Sequence, residues 1–222
     1  MKNVYVFGIS SGFAQVIADY LLDNDEYRFL GYVLNEEYCE TEQVAGFPLI
    51  PFELVSKKGG DFGVINCVGY GNMLDSREKV ANIVRQADIP LESYVHPSAM
   101  LMRGVTIGEG NVIMAGAYIG NRVNIGVGNI ISTHSHTEAG SQVGDYNFFG
   151  PQSVRLGPSY VNNHCILGGN STIKNGVTIA SYSLISAGAY ITTNTKEYGV
   201  YVQPHTKRVK DISSVDFVYN MK

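Results

Sequence analysis

A parallel β-helix of six-residue repeats, preceded by a small α/β unit, is the fold this 222-residue sequence predicts. Three observations carry it. From Val95 to Ile191 every sixth residue is nearly always a large aliphatic: Val95, Leu101, Ile107, Ile113, Ile119, Ile125 and Ile131, and again from Val161 through Leu167 to Ile191. Helices and strands repeat about every 3.6 and 2 residues, so neither produces this register, whereas flat sides and corners of a three-sided coil do. Four residues after each aliphatic sits a small side chain, among them Ala117, Ser135, Ser141, Ser153, Cys165, Ser171, Ser183 and Ala189, as narrow corners require. The first ninety residues, by contrast, alternate short apolar runs with amphipathic segments.

In chain order, Val4-Tyr5-Val6-Phe7 reads as a buried strand, and Gly8-Ile9-Ser10-Ser11-Gly12 opens a helix with apolar Phe13, Val16, Ile17, Tyr20 and Leu21. A second strand spans about Phe29 to Leu34, ahead of Glu36-Glu37; Pro51 to Ser56 reads as a short helix. Phe62 to Val68 is expected as a third strand and Asp75 to Ala87 as a helix. Strand, glycine turn, helix, strand is a Rossmann-like βαβ unit, whose ligands sit at the carboxyl ends of its strands. The turn is Gly-x-x-x-Gly, short of the full dinucleotide pattern, but its helix amides offer donors to an anion. A second turn, Gly69-Tyr70-Gly71-Asn72-Met73 with Arg77 beyond it, suits the same edge. Gly8, Ser10, Ser11, Gly12, Asn72 and Arg77 are therefore the candidate substrate-binding residues. The organisation expected is 1–92 for this unit, 93–196 for the β-helix and 197–222 for a C-terminal tail.

Net charge is −4 and the only basic run is the short Lys207-Arg208-Val209-Lys210, which argues against a nucleic-acid partner. Three scattered cysteines suggest a reduced, cytoplasmic protein. No apolar run is long enough to span a membrane, and no His/Cys set has metal-ligand spacing, so neither membrane nor metal is expected.

Chemistry concentrates in Ser132-Thr133-His134-Ser135-His136-Thr137-Glu138. Two histidines on the outside of the prism, with a carboxylate to orient one of them, form a candidate general-base site. Thr137 in this stretch and Arg155 one coil further on are the two polar members of the aliphatic column. An unpaired guanidinium in an apolar prism is costly, so either Arg155 reaches out through the side or, as the adjacent Leu156 and Gly157-Pro158 favour, a local distortion turns Leu156 inward.

The small α/β unit running into Val95-His96-Pro97-Ser98-Ala99, the turn Gly69-Tyr70-Gly71-Asn72-Met73 with Arg77, the coil Ile107-Gly108-Glu109-Gly110-Asn111-Val112-Ile113 and the tail Gly199-Val200-Tyr201-Val202 together resemble the sialic acid/bacillosamine-type sugar O-acyl/N-acetyltransferases. The resemblance spans nearly the whole chain. It implies a left-handed β-helix, a homotrimer, acetyl-CoA as cosubstrate and a nucleotide-activated amino sugar as acceptor. It also implies that Gly157, Ala187 and Gly188 contact the acyl-CoA. The sequence departs from the pattern at its centre: the position four before Val143, where the family carries its base, is Ala139. Phe148 and Phe13 stand where further family histidines fall, and His205-Thr206 replaces a small residue of the tail. An auxiliary histidine of some hexapeptide acyltransferases, seven before the aliphatic, matches His136. The candidate catalytic set is His136 with His134 and Glu138.

The function expected is acetyl-CoA-dependent acetylation of a nucleotide-linked amino sugar for surface glycan synthesis. Two alternatives stay open: a trimeric nucleotide-sugar-binding protein impaired in catalysis, favoured by Ala139, and an O-acetyltransferase. For the missing base, either His136 or His134 has taken the role, or a bulge shifts the register, or catalysis is lost.

Overall fold

The structure, a computed structural model, describes residues 1–9 and 12–204. The α/β unit holds strands β1 (Lys2–Phe7), β2 (Tyr27–Leu34), β3 (Gln43–Val44), β4 (Phe47–Pro51) and β5 (Gly63–Asn66), with helices α1 (Phe13–Leu22), α2 (Phe52–Lys58) and α3 (Asp75–Gln86). The sheet order is β3-β4-β2-β1-β5. All neighbours are parallel except the β3–β4 hairpin. The sequence reading assigns no element to this hairpin, whose Pro48 and Pro51 offer no N–H to a ladder. Val16, expected on the apolar face of α1, is 39% exposed; Ala14, Ile17, Ala18 and Leu21 fill that face instead.

The strand order sets where this unit presents its loops. The chain runs outward from β1 to β2 to β4, then returns to the opposite side of β1 as β5. The turns after β1 and β5 therefore lie side by side at the carboxyl edge, where the strand order reverses.

From Tyr94–Val95 to Tyr190–Ile191 the chain forms two-residue rungs that stack into three parallel sheets. Each rung pairs with the one eighteen residues on, as in Tyr118↔His136 and His136↔Val154. The second residue of each rung belongs to the aliphatic column and points inward, giving one continuous core from Ile113 to Ile191. Corners at Gly116, His134, Gln152, Asn170 and Gly188 have positive φ. These stacked sheets fit a left-handed β-helix. Val200–Tyr201, expected within the tail, adds one more rung beside Leu184–Ile185.

Corner residues at three levels form a ladder whose positions are occupied by asparagine. The Asn111 Oδ1 accepts from the backbone N–H and the side-chain amide of Asn129, at 2.8 and 3.0 Å. Asn129 serves Asn147 in the same way, and Asn147 accepts from the Cys165 N–H. Amide groups stacked at the coil repeat satisfy one another and the corner N–H groups, so all three are buried.

The expected distortion at Arg155 does not occur. Val154–Arg155 stays in register with the rungs on either side, and Arg155 is fully buried while Leu156 is 39% exposed. Its Nε donates to Thr137 Oγ1 at 2.9 Å, Nη2 donates to the same oxygen, Nη1 reaches Ser153 Oγ at 3.3 Å, and Cζ lies 3.8 Å from the Phe149 ring centroid. Thr137 is thus the partner that allows Arg155 inside: a break in the ladder would orphan backbone groups on three coils, whereas hydroxyls and a π-face meet part of the charge. Burial lowers the guanidinium pKa to about 9. Thr137→Val alone is expected to lower stability by about 1–3 kcal/mol, since it leaves donors unmet. Thr137→Val with Arg155→Leu restores the column and is expected to raise stability by about 1–4 kcal/mol. Urea unfolding of the two variants checks the pair; a double variant less stable than wild type removes this account.

One face of the prism is covered by the α/β unit. Outward residues of its rungs, Tyr94 and Val112, join the core of β1, β2 and α1, while Phe148 and Ile166 pack with the α3 core. Among the described residues no helix is long and apolar enough to cross a membrane.

Candidate active site

The face that carries the histidines is a six-rung sheet from Met100–Leu101 through Tyr118–Ile119, His136–Thr137, Val154–Arg155 and Thr172–Ile173 to Tyr190–Ile191. Alternation within a two-residue rung buries Thr137 and sends His136 outward. Its ring stacks on Tyr118 of the previous rung, with centroids 4.6 Å apart and planes 20° from parallel. His136 Nε2 lies 2.9 Å from Glu138 Oε1, and the other carboxylate oxygen accepts from the Ala139 N–H at 3.3 Å. The imidazole, and after it the Ala139 amide, hold the Glu138 carboxyl below the usual carboxylate range. A carboxylate accepts only, so Nε2 carries the proton and Nδ1 is the ring nitrogen left with a lone pair.

His134 sits apart from this pair. It occupies a positive-φ corner (φ 56°), is exposed, and lies directly over Gly116, where a Cβ would meet its ring at 2.5 Å. Among the described residues it has no hydrogen bond to His136 or Glu138. No bulge shifts the register here: Tyr118, His136 and Val154 pair rung by rung, so Ala139 keeps the place that the six-residue register assigns it. The bulge explanation of the missing base is therefore withdrawn.

Gly157, Ala187 and Gly188 border the same sheet. Gly157, at the corner after Val154–Arg155, accepts from Ser141 Oγ at 2.9 Å and approaches Asn175 too closely for a side chain. Ala187 and Gly188 are exposed at the opposite corner, the Ala187 carbonyl accepting from Gln203 Nε2 at 3.0 Å. Next to them opens a cleft of 490 Å³ lined by Ala189, Tyr190, Thr193, Val202 and Gln203. Gly188 stands three coils from His134, roughly 14 Å along the prism.

At the α/β edge, Gly8 has φ 114° and packs so closely on the Cys67 backbone that a Cβ would fall 3.2 Å from it. Gly12 caps α1 with φ 64°, and Asn72 is exposed on the neighbouring turn with φ 49°. Ser10 and Ser11 lie outside the described residues, as does His205. Arg77 is not at this edge in any usable sense. It is fully buried, and its guanidinium donates to four backbone carbonyls: Gly128 at 2.6 Å, Gly110 at 2.9 Å, Asn66 at 2.5 Å and Val68 at 3.1 Å. Expected to bind substrate, it instead joins the end of β5 to two corners of the solenoid. Phe148, where the resemblance places a histidine, packs against Tyr70 of the second turn with ring centroids 4.8 Å apart.

Cys67 and Cys165 are buried, and burial pushes their thiols up to about 12 and about 11, the reverse of what a nucleophile needs.

Solved proteins share this fold. A mutant of GDP-perosamine N-acetyl transferase from Caulobacter crescentus, in complex with CoA and GDP-perosamine, matches with a TM-score of 0.81 at 24% identity, covering 90% of this chain and 93% of that one. The acetyltransferase domain of PglB from Neisseria gonorrhoeae matches with a TM-score of 0.77 at 20% identity, covering 90% and 96%. The chain has the left-handed hexapeptide-repeat fold of these sugar N-acetyltransferases. In sequence, a 2,3,4,5-tetrahydropyridine-2,6-dicarboxylate N-succinyltransferase from Xylella fastidiosa is 28% identical over 115 residues, 47% of this chain. The match spans only 40% of that protein's length. No protein-family model matches the chain.

Proposed function

We propose that this protein is an acyl-CoA-dependent acyltransferase that acetylates the amino group of a nucleotide-linked amino sugar, with acetyl-CoA as donor. The observation that carries the reading is the His136–Glu138 pair, half-buried on the outer face of a fold whose solved neighbours hold CoA and a GDP-sugar. In this reading the sugar amine attacks the thioester carbonyl. A nitrogen–carbon bond forms, the carbon–sulfur bond breaks, and the amine proton passes to His136 Nδ1 and then to the leaving thiolate. Glu138 holds the ring through Nε2, and Tyr118 sets its tilt. The acyl-CoA arm runs from His136 towards Ala187 and Gly188, past Gly157. The nucleotide rests in the Rossmann-like unit 1–92, on the turns after β1 and β5, with Gly8, Ser10, Ser11, Gly12 and Asn72 as its contacts. The β-helix, 93–196, and the tail, 197–222, complete a cytoplasmic homotrimer whose donor sites lie between prisms.

One observation favours a second reading. Ala139 occupies the position at which the resemblance places the base, and it stays there in the folded chain. A binding protein that retains the sugar unit and has lost catalysis fits that fact. Calorimetry with acetyl-CoA, together with sedimentation velocity, separates the readings without knowledge of the acceptor. Saturable micromolar binding near one per chain by a trimer is the expected result. Absence of binding up to millimolar, or a monomer, would overturn the acyltransferase reading.

A further inference from the structure

His164 reads in the sequence as an exposed polar corner, but it is 7% exposed. The corner at which it sits (φ 56°) meets the start of α3, and the imidazole is enclosed by groups from both units. Tyr182 stacks on it with centroids 4.8 Å apart and planes 5° from parallel, and Tyr146 lies on its other side at 5.4 Å. Nδ1 is 3.1 Å from the Met73 carbonyl and 3.3 Å from Asp75 Oδ1; Nε2 is 3.3 Å from Glu78 Oε2.

The ring's edges decide what can sit here. The Met73 carbonyl accepts only, so Nδ1 carries a proton and donates to it. Nε2, on a side chain more than nine-tenths buried, then points its lone pair at a carboxylate oxygen and makes no hydrogen bond. Two acceptors face each other across a gap that calls for a cation. One ligand atom each from Asp75, Glu78 and His164 can be chosen so that all lie within 4.8 Å of one another. Asp75 and Glu78 stand one helical turn apart on α3, on the same face. A ring nitrogen fixed by a backbone carbonyl, with its other nitrogen turned to the Glu78 carboxylate, is the arrangement in which outer-shell partners orient a metal-bound histidine. Tyr182 Oη, donating to Asp75 Oδ1 at 3.3 Å, holds the second carboxylate in the same manner.

We propose that Asp75, Glu78 and His164 bind a divalent cation of borderline character, of the zinc class, which fastens α3 to the solenoid. One nitrogen with two carboxylate oxygens suits such an ion better than magnesium, which prefers oxygen and retained water. The site lies against the α/β unit, not on the face of the His136 pair, and does not depend on the reaction proposed above.

The test is calorimetric titration of chelator-treated protein with ZnCl2, with thermal unfolding read alongside and Glu78→Gln and His164→Gln in parallel. Saturable binding of one zinc per chain is expected, with Tm rising about 5–10 °C at zinc 100-fold above its Kd. Glu78→Gln should weaken binding at least tenfold, and His164→Gln should abolish the rise in Tm. The Glu78 side chain is 42% exposed, so its variant keeps the fold even where loss of the buried histidine does not. No saturable binding by wild type overturns the proposal. Binding unchanged by Glu78→Gln also overturns it, because the ion then sits elsewhere, as at the exposed His134.

Discussion

His136→Ala is expected to slow acetyl transfer on the order of 10²-fold or more, the usual contribution of a positioned general base. The loss should fall on kcat, with acetyl-CoA affinity little changed, because the imidazole acts on the acceptor's proton and not on the donor's pantetheine arm. Glu138→Gln should show a smaller loss of the same kind. It keeps the shape of the side chain but removes the charge that favours the proton on Nε2. Since its pKa is held below the ordinary carboxylate value, Glu138 stays ionised throughout the neutral range and becomes protonated only as pH falls through that lowered value. Ring orientation should therefore persist across the pH range of any practical assay. His134→Ala is the decisive companion. The His134 ring is an isolated corner above Gly116, so its removal should leave the rate within a few-fold. A full rate in His136→Ala with a collapsed rate in His134→Ala would transfer the base role to the corner histidine.

Arg77→Ala is expected to cost ~3 kcal/mol or more, because three buried carbonyls and the part-buried Val68 carbonyl lose charged donors at once and a cavity opens beneath α3. That is a large part of the about 5–15 kcal/mol by which domains are stable. Arg77→Met separates the two contributions: it fills most of the space and supplies no donors, so it should remain strongly destabilising. Arg77→Lys should fall between, since one ammonium does not span the four carbonyls that a planar guanidinium reaches. Urea unfolding provides the measurement, and nucleotide-sugar binding by the same variants bears on function. A variant of unchanged stability that no longer binds a nucleotide sugar would return Arg77 to the ligand site.

His136 and Arg77 show how far the sequence was legible. The period of six implied inward and outward columns, and the columns appear residue by residue; it thereby placed His136 outside and its neighbour Thr137 inside. Local spacing left His134 and Glu138 both open as the partner of His136; the structure places Glu138, two residues on, at hydrogen-bond distance from its ring. Arg77 was misread for the opposite reason. Following a glycine turn, a cation suggests an anion site, yet its partners at Gly110 and Gly128 lie 33 and 51 residues away. Arg155 was misread because the cost of a buried charge was weighed without Thr137 and Phe149 as a single set of partners. The Asn111, Asn129 and Asn147 ladder did leave a signal, an asparagine at every third small-column position over three coils, which the search for small side chains passed over.

What the sequence determined by itself was therefore the periodic half of the molecule. A repeat of backbone geometry writes its own pattern into consecutive residues, and one coil dictates the environment of the next. What only the tertiary structure decided was the seam between the units: which face of the prism is covered, where Arg77 spends its donors, and why Asp75, Glu78 and His164 meet. Those contacts join segments that share no local period. They are set by the packing of α3 and β5 on the solenoid corners, and packing between distant segments leaves no regular trace in the order of residues.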